Sequence, residues 1–283
     1  MTTLQMPSER KFGWRLKSAA SSHFGIVERA NGQFCVVLNH ALLRGVSAKM
    51  IHWWFLHFAA LKVKVCGIEG FDGAHLPAYQ LWHPIDHLSA MFLGALGPGG
   101  TAKAGCKIHI REAMQYDVHG WKYPVDTALK VFYVAEDGWA MGKALPLIGP
   151  VMMLRIHFCD VYDAGVHLGA HYHYEVVIGA SGNDIVSQKI NKKITAQYAP
   201  EFFAAWQRHN VIEVGTFENF LAPLYEQHQR GKPLEYTPDM NAAAFPDVPQ
   251  TGFDRSLFDR RLAGYRQTHQ PSKYQRFDQA SFL

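Results

Sequence analysis

The segment HNVIE places His209 and Glu213 four residues apart in the stretch FFAAWQRHNVIEVGTFENFLAPL, whose apolar residues recur at helical intervals. At about 100° per residue, Phe202, Trp206, His209, Glu213, Phe217, Phe220 and Leu224 fall on one narrow arc. An imidazole and a carboxylate thus interrupt the buried stripe of a helix. A carboxylate facing a core costs on the order of several kcal/mol unless something charged or donating meets it. One metal ion would serve both side chains, because residues at i and i+4 stack on the same face. A histidine to glutamate hydrogen bond inside the core, or a site opened to solvent at Gly215, would serve as well.

The same intrusion occurs in KIHIREAM (107–114), where alternation puts Ile108, Ile110, Glu112 and Met114 on one face and Lys107, His109 and Arg111 on the other. Glu112 points where an aliphatic residue is expected, unless a bulge reverses the faces. A third candidate is His83 in YQLWHPIDH. Pro84 drives the residue before it out of helical geometry and suits the first position of a helix, so His83 is expected to be extended at a helix start. His87 is a rival in the same segment, but an extended His83 weakens any i, i+4 pairing between them. Two histidines and two carboxylates, His83, Glu112, His209 and Glu213, would suit zinc, with room for water or a substrate oxygen. GVHLGAHYH (165–173) is a competing signal, because it fits the opening of a cupin metal motif and puts His167, His171 and His173 on one strand face. The rest of that motif fails: Glu175 comes too early, and no PxGxxH follows.

The elements that must position these residues are legible in outline. QFCVVLN (33–39) reads as a strand, and Ser47 as the N-cap of a helix over AKMIHWWFLHFAAL whose Trp53 and Trp54 pack in the core. Alternation marks further strands at 107–114, 129–135, 151–162 and 167–179, and a long helix runs from Pro200 to about Gln227. Residues 231–283 carry five prolines and many polar residues, which predicts an irregular tail wrapping on a domain of residues 1–230, whose N-terminal part could be a helical extension. The architecture implied is α+β, a mostly antiparallel sheet with a long late helix.

Composition narrows the function classes. A 48% hydrophobic and 13% aromatic chain of 283 residues can build a sizeable core. Its net charge of +4 comes without a basic run able to track phosphates, so nucleic acid is not an expected partner. No apolar segment approaches a membrane span or a signal peptide, which makes a cytoplasmic protein the expectation. The four cysteines are far apart and lack a CxxC pair, so neither a disulfide framework nor a zinc ribbon is suggested.

Taken in order, MIHWWF (50–55), YQLWHPIDH (79–87), the strand glutamate Glu112, HNVIE and FLAPLY resemble the diacetylphloroglucinol and phloretin hydrolase family. The resemblance spans residues 40–227. It implies a helix-grip (START-like) fold, a curved antiparallel sheet around a long C-terminal helix, with zinc held by two His and two Glu matching His83, Glu112, His209 and Glu213. It further implies hydrolysis of the carbon to carbon bond between a polyhydroxylated aromatic ring and an acyl group, and a homodimer. His157 and Tyr172 fall where the family places a catalytic histidine and a phenol-binding tyrosine; core packing is the other reading of both. Tyr79 could reach the same cavity, and His171 and His173 are further candidates for proton donation. Asp86 stands where the family's phenol-binding set has an asparagine, a departure that puts the substrate in question. A noncatalytic helix-grip protein binding an aromatic or lipid ligand is the alternative, and a cupin-like oxygenase a third.

Overall fold

The structure, a computed structural model, describes residue 6 and residues 9–238. The expected wrapping tail from 239 onward lies outside the described residues. The N-terminal stretch 9–18 is irregular backbone rather than a helical extension. Chain order then runs β1 (His23–Glu28), β2 (Phe34–Asn39), β3 (Leu43–Arg44), α1 (Ala48–His57), β4 (Lys62–Val65), β5 (His75–Pro77), α2 (Ala78–Trp82), β6 (His87–Leu93), β7 (Lys107–Ala113) and α3 (Tyr116–His119). The second half comprises β8 (Pro124–Ala135), β9 (Gly138–Leu145), β10 (Gly149–Asp163), β11 (Val166–Ile178), α4 (Ile185–Thr195), α5 (Pro200–Gly215), α6 (Phe217–Gln229) and β12 (Glu235–Tyr236).

The main sheet is antiparallel, ordered β1-β2-β11-β10-β9-β8-β7-β6, with β3 also paired to β11. A smaller sheet, β12-β4-β5, flanks it. Four strand spacings separate β7 from β11, which would be roughly 19 Å in a flat sheet. Yet Ile110 of β7, Tyr174 of β11 and Trp206 of α5 all line one cavity of about 60 Å³. The sheet must therefore curl around α5, which is the helix-grip arrangement of an α+β chain. Local devices assist the curl. Pairing slips by one residue at Val131/Tyr133, Pro150/Met152 and Val161/Tyr162, and such bulges bend a strand and increase its twist. At Gly142 a Cβ would sit 2.0 Å from the Met152 carbonyl oxygen, so the tight approach of β9 to β10 beside a bulge requires glycine.

Helix α1 begins as expected, with the Ser47 hydroxyl accepting the Met50 N–H at 3.3 Å. Trp53 and Trp54 are buried, and Trp54 packs on Phe217 and Phe220 of α6. The late helix is not continuous. It breaks at Thr216, whose hydroxyl donates within reach of both the Glu213 carbonyl (2.6 Å) and the Trp82 carbonyl (2.7 Å). A threonine bonding back to the preceding turn, next to a glycine, is a known cause of a kink. The helix expected at Pro84 is also absent: residues 84–86 form a turn, and β6 starts at His87. Among the described residues no helix is long and apolar enough to cross a membrane.

Candidate metal centre

Three elements meet at one end of the cavity. Strand β7 presents Glu112 on its inner face with Ile108 and Ile110. Helix α5 presents His209 and Glu213 one turn apart, and the start of β6 presents His87, directly opposite Glu112 in the β6–β7 ladder. The ligating atoms of His87, Glu112, His209 and Glu213 all lie within 4.8 Å of one another, and all four residues are buried. His87 Nε2 is 3.1 Å from Glu213 Oε2 and 3.4 Å from Glu112 Oε2; His209 Nε2 is 3.4 Å and 3.5 Å from the same atoms. A tetrahedron with zinc to nitrogen and oxygen bonds of about 2.0–2.1 Å has edges of roughly 3.3–3.4 Å, so the spacing fits a divalent ion.

Each side chain is oriented by a partner. His87 Nδ1 donates to the Tyr79 carbonyl at 2.8 Å, which leaves Nε2 aimed at the carboxylates. His209 Nδ1 donates to Asp86 Oδ2 at 2.8 Å, again leaving Nε2 toward the centre. Tyr79 Oη donates to Glu112 Oε2 (2.7 Å), and Asn210 Nδ2 donates to Glu213 Oε1 (2.9 Å). Behind Asn210, His40 Nε2 donates to its Oδ1 at 3.0 Å. Burial is the main reason the His40 imidazole is pushed down to about 3, so it stays neutral. Imidazoles held by a carboxylate or a carbonyl through the second nitrogen are typical of metal-bound histidine.

The electrostatics point the same way. His87 Nδ1 is committed to the Tyr79 carbonyl, so its Nε2 meets two carboxylate oxygens across a gap that a proton or a metal ion must fill. Burial opposes charge on His209, but Glu112, Asp86 and Glu213 hold its pKa well above the ordinary value. Glu213 falls to about 2: burial opposes ionisation, but hydrogen bonds and charge from His209 and His87 prevail. Asp86 is likewise lowered against the cost of burial, by His83, His209 and the Gln115 N–H. Three carboxylates, Arg10 and one divalent ion would sum to zero charge.

His83, expected as a ligand, stands outside this group. It is extended as predicted (φ −131°, ψ 120°) and 1% exposed, but its Nδ1 accepts the backbone N–H groups of Ile85 (3.2 Å) and Asp86 (3.0 Å). The neutral ring therefore carries its proton on Nε2, 3.4 Å from Asp86 Oδ2, and has no lone pair left for a metal. His83, Asp86 and His209 also lie close enough together to suggest a second site. The hydrogen bonds make them an orienting set instead, with His83 steadying Asp86 and Asp86 steadying His209.

The other expected residues separate by sheet face. Tyr79 lines the cavity. Tyr172 is wholly buried on the inner face, edge-on to His40 with ring centroids 5.2 Å apart. Asp86 touches His209 and the backbone of Gln115 and Tyr116 rather than the cavity. His157 and His173 oppose each other across β10 and β11, and His171 opposes Cys159; period-two alternation places all three on the outer face, away from Ile156 and Tyr174. They cannot act in this cavity. None of His167, His171 or His173 joins a metal-capable group among the described residues, so the cupin pattern has no counterpart there. Asn210, inside HNVIE, joins the site although no sequence motif marks it. The signal for it is a second polar residue beside an inward histidine.

The remaining walls are largely aromatic: Phe55 of α1 and Phe58 at its C-terminal cap, Trp82 of α2, Trp139 of β9, Tyr174 of β11 and Trp206 of α5, with Met141, Leu154 and Ile156 between them. No protein-family model matches this sequence, and no curated protein matches it. Among solved structures the chain is similar to protein Ms6760 from Mycobacterium smegmatis, at 11% identity and TM-score 0.33, covering 67% of this chain and 94% of that one. It is similar to Ara h 8.0201 at 12% identity and TM-score 0.30 (66% and 98% covered). A protein of unknown function, SA2116 from Staphylococcus aureus, aligns at 9% identity and TM-score 0.32 (65% and 96% covered). Likenesses this distant carry no argument about function, which rests on the buried His/Glu group able to hold a metal ion at the end of an aromatic cavity in an α+β helix-grip chain.

Proposed function

We propose that this protein is a zinc-dependent hydrolase that cleaves the bond between a polyhydroxylated aromatic ring and its acyl carbon. The observation that carries the reading is the pair of buried imidazole nitrogens, His87 Nε2 and His209 Nε2, facing two buried carboxylates beside a largely aromatic cavity. A noncatalytic binder of an aromatic ligand would share the walls but has no need of two carboxylates beside them.

Zinc, when bound, would supply Lewis acidity, polarising an acyl carbonyl and bringing water toward a pKa of about 7. The protein's own residues supply the rest. Phe55, Phe58, Trp82, Trp139 and Trp206 offer faces and edges against which a planar ring packs. Tyr79 and Tyr174 keep their protons, because burial, then the charges of Glu112 and Glu213, raise both phenols well above the ordinary value. Tyr79 commits its proton to Glu112, which leaves Tyr174 as the wall phenol to grip a ring hydroxyl. Water adds across the bond: its hydroxyl goes to the acyl carbon as a carboxylic acid, and its proton to the ring carbon, whose protonation a phenol's keto tautomer makes feasible.

Metal analysis of the purified protein, with an assay on mono- and diacylphloroglucinols and phloretin, tests the reading. One zinc per chain with release of carboxylic acid and deacylated phenol is expected. A folded protein that takes up no metal would end the mechanism. Zinc-loaded but inactive protein would count against the substrate alone.

A further inference from the structure

The N-terminal stretch carries a residue that no motif singled out. Arg10 is 1% exposed, and its guanidinium reaches the backbone of the corner between α2 and β6. Nε donates to the Gln80 carbonyl (3.0 Å), and Nη2 donates to the carbonyls of His83 (2.8 Å) and His87 (3.1 Å). The Arg10 backbone N–H adds a fourth bond, to the Pro84 carbonyl at 3.1 Å. These contacts span the turn that delivers both His87 and Asp86. Past the corner the strand of chain is fixed again, by Trp14 Nε1 donating to Tyr236 Oη and by the buried Lys17 to Glu218 ion pair at 2.7 Å.

Among the described residues no carboxylate makes a direct ion pair with Arg10. Burial brings its pKa down to about 10, with the charge of Asp86 acting the other way. A buried cation without a paired anion is costly, and a neutral donor would suffice merely to tie down carbonyls. The charge has a use beside Asp86, the carboxylate that orients His209 of the metal-capable centre. The planar fork has one as well, because two nitrogens of a single rigid group meet carbonyls on both sides of the turn.

We propose that Arg10 is a positioning residue of the metal centre: it fixes the turn that aims His87 and Asp86, and its charge completes the electrostatic balance of the site. This rests on the metal reading above. It makes the N-terminal stretch a working part of the centre, although Arg10 touches neither a ligand side chain nor the cavity.

The test compares Arg10→Gln and Arg10→Lys with Asn191→Ala, which removes buried hydrogen bonds to Asn31 and Ala180 in a separate network between α4 and the β1–β2 turn. Zinc release to a chelator, the visible spectrum of cobalt-substituted protein and the imidazole ¹⁵N signals of His87 are read for each. Arg10→Gln is expected to release metal about 10–100-fold faster with an altered cobalt spectrum, as for other groups that orient ligands. Arg10→Lys should fall between it and the parent, and Asn191→Ala should release at the parent rate despite a lower melting temperature. Parental release and spectra in both Arg10 variants would overturn the proposal, and so would equally fast release from Asn191→Ala. Should Arg10→Gln fail to fold, Arg10→Lys decides alone. If the parent takes up no divalent ion, the metal reading falls by itself. The His87 signals then decide for Arg10: a changed tautomer in Arg10→Lys supports the positioning role, and an unchanged one overturns it.

Discussion

His83 and His87 lie four residues apart in one turn, both fully buried, yet only one can serve a metal. The difference is which way a single hydrogen bond runs at Nδ1. At His87 that nitrogen donates to the Tyr79 carbonyl and leaves Nε2 for the carboxylates and an ion; at His83 it accepts two backbone N–H groups, so an ion finds only the N–H of Nε2. Residue type and burial are the same, so the backbone around each ring decides its chemistry. The same contrast holds between the two overlapping groups: His87, Glu112, His209 and Glu213 can close on an ion, whereas in the second group His83 Nδ1 is taken by two backbone N–H groups and Asp86 by His209 and the Gln115 and Tyr116 N–H groups.

The largest expected effect is at His87. His87→Ala should abolish stoichiometric zinc and with it any turnover, whereas His83→Ala should keep one zinc per chain; metal analysis of both reads the outcome. The reverse result would return His83 to the ligand set. Next, Asp86→Asn should weaken metal binding about 10–100-fold, because the asparagine accepts from His209 less strongly and no longer fixes its tautomer. A chelator competition titration measures this.

A pH effect sharpens the comparison further. In metal-free protein the His209 pKa is raised by its three carboxylate neighbours, so its contribution to stability is full below the unfolded value near 6.5 and is lost as pH rises through the raised folded value. The melting temperature of metal-free protein should therefore fall as pH climbs above 6.5, and zinc should suppress that fall by taking the proton's place. A flat profile without metal would mean that His209 is not held as described. The smallest effect on metal content is expected for Tyr79→Phe. It removes one hydrogen bond to a charged group, about 1.5–3 kcal/mol of orientation for Glu112, and should slow turnover while leaving zinc content intact.

Legibility followed the range of the interactions. The inward facing of His209, Glu213 and Glu112 could be read in the sequence, because helical and strand periods are local properties of the chain. The long strands at 151–162 and 167–179 emerged for the same reason, and so did the Ser47 cap. Strand β9 and helix α4 escaped. β9 carries Gly138 and Gly142 where β10 passes closest, and α4 has Lys and Asn spread through it, so neither shows a clean apolar period. The choice of His83 over His87 came from placing a helix after Pro84. A proline suits that position, but the chain turned and entered β6 instead.

By itself, then, the sequence determined that an imidazole and two carboxylates face inward and demand a cation or a donor, since burial and periodicity follow from local pattern. Only the tertiary structure decided which second histidine answers them, and that His157, His171 and His173 lie behind the sheet. Those outcomes depend on strand register and on the direction of single hydrogen bonds across the fold. Residues as distant in sequence as Arg10, Asp86 and His209 settle them together.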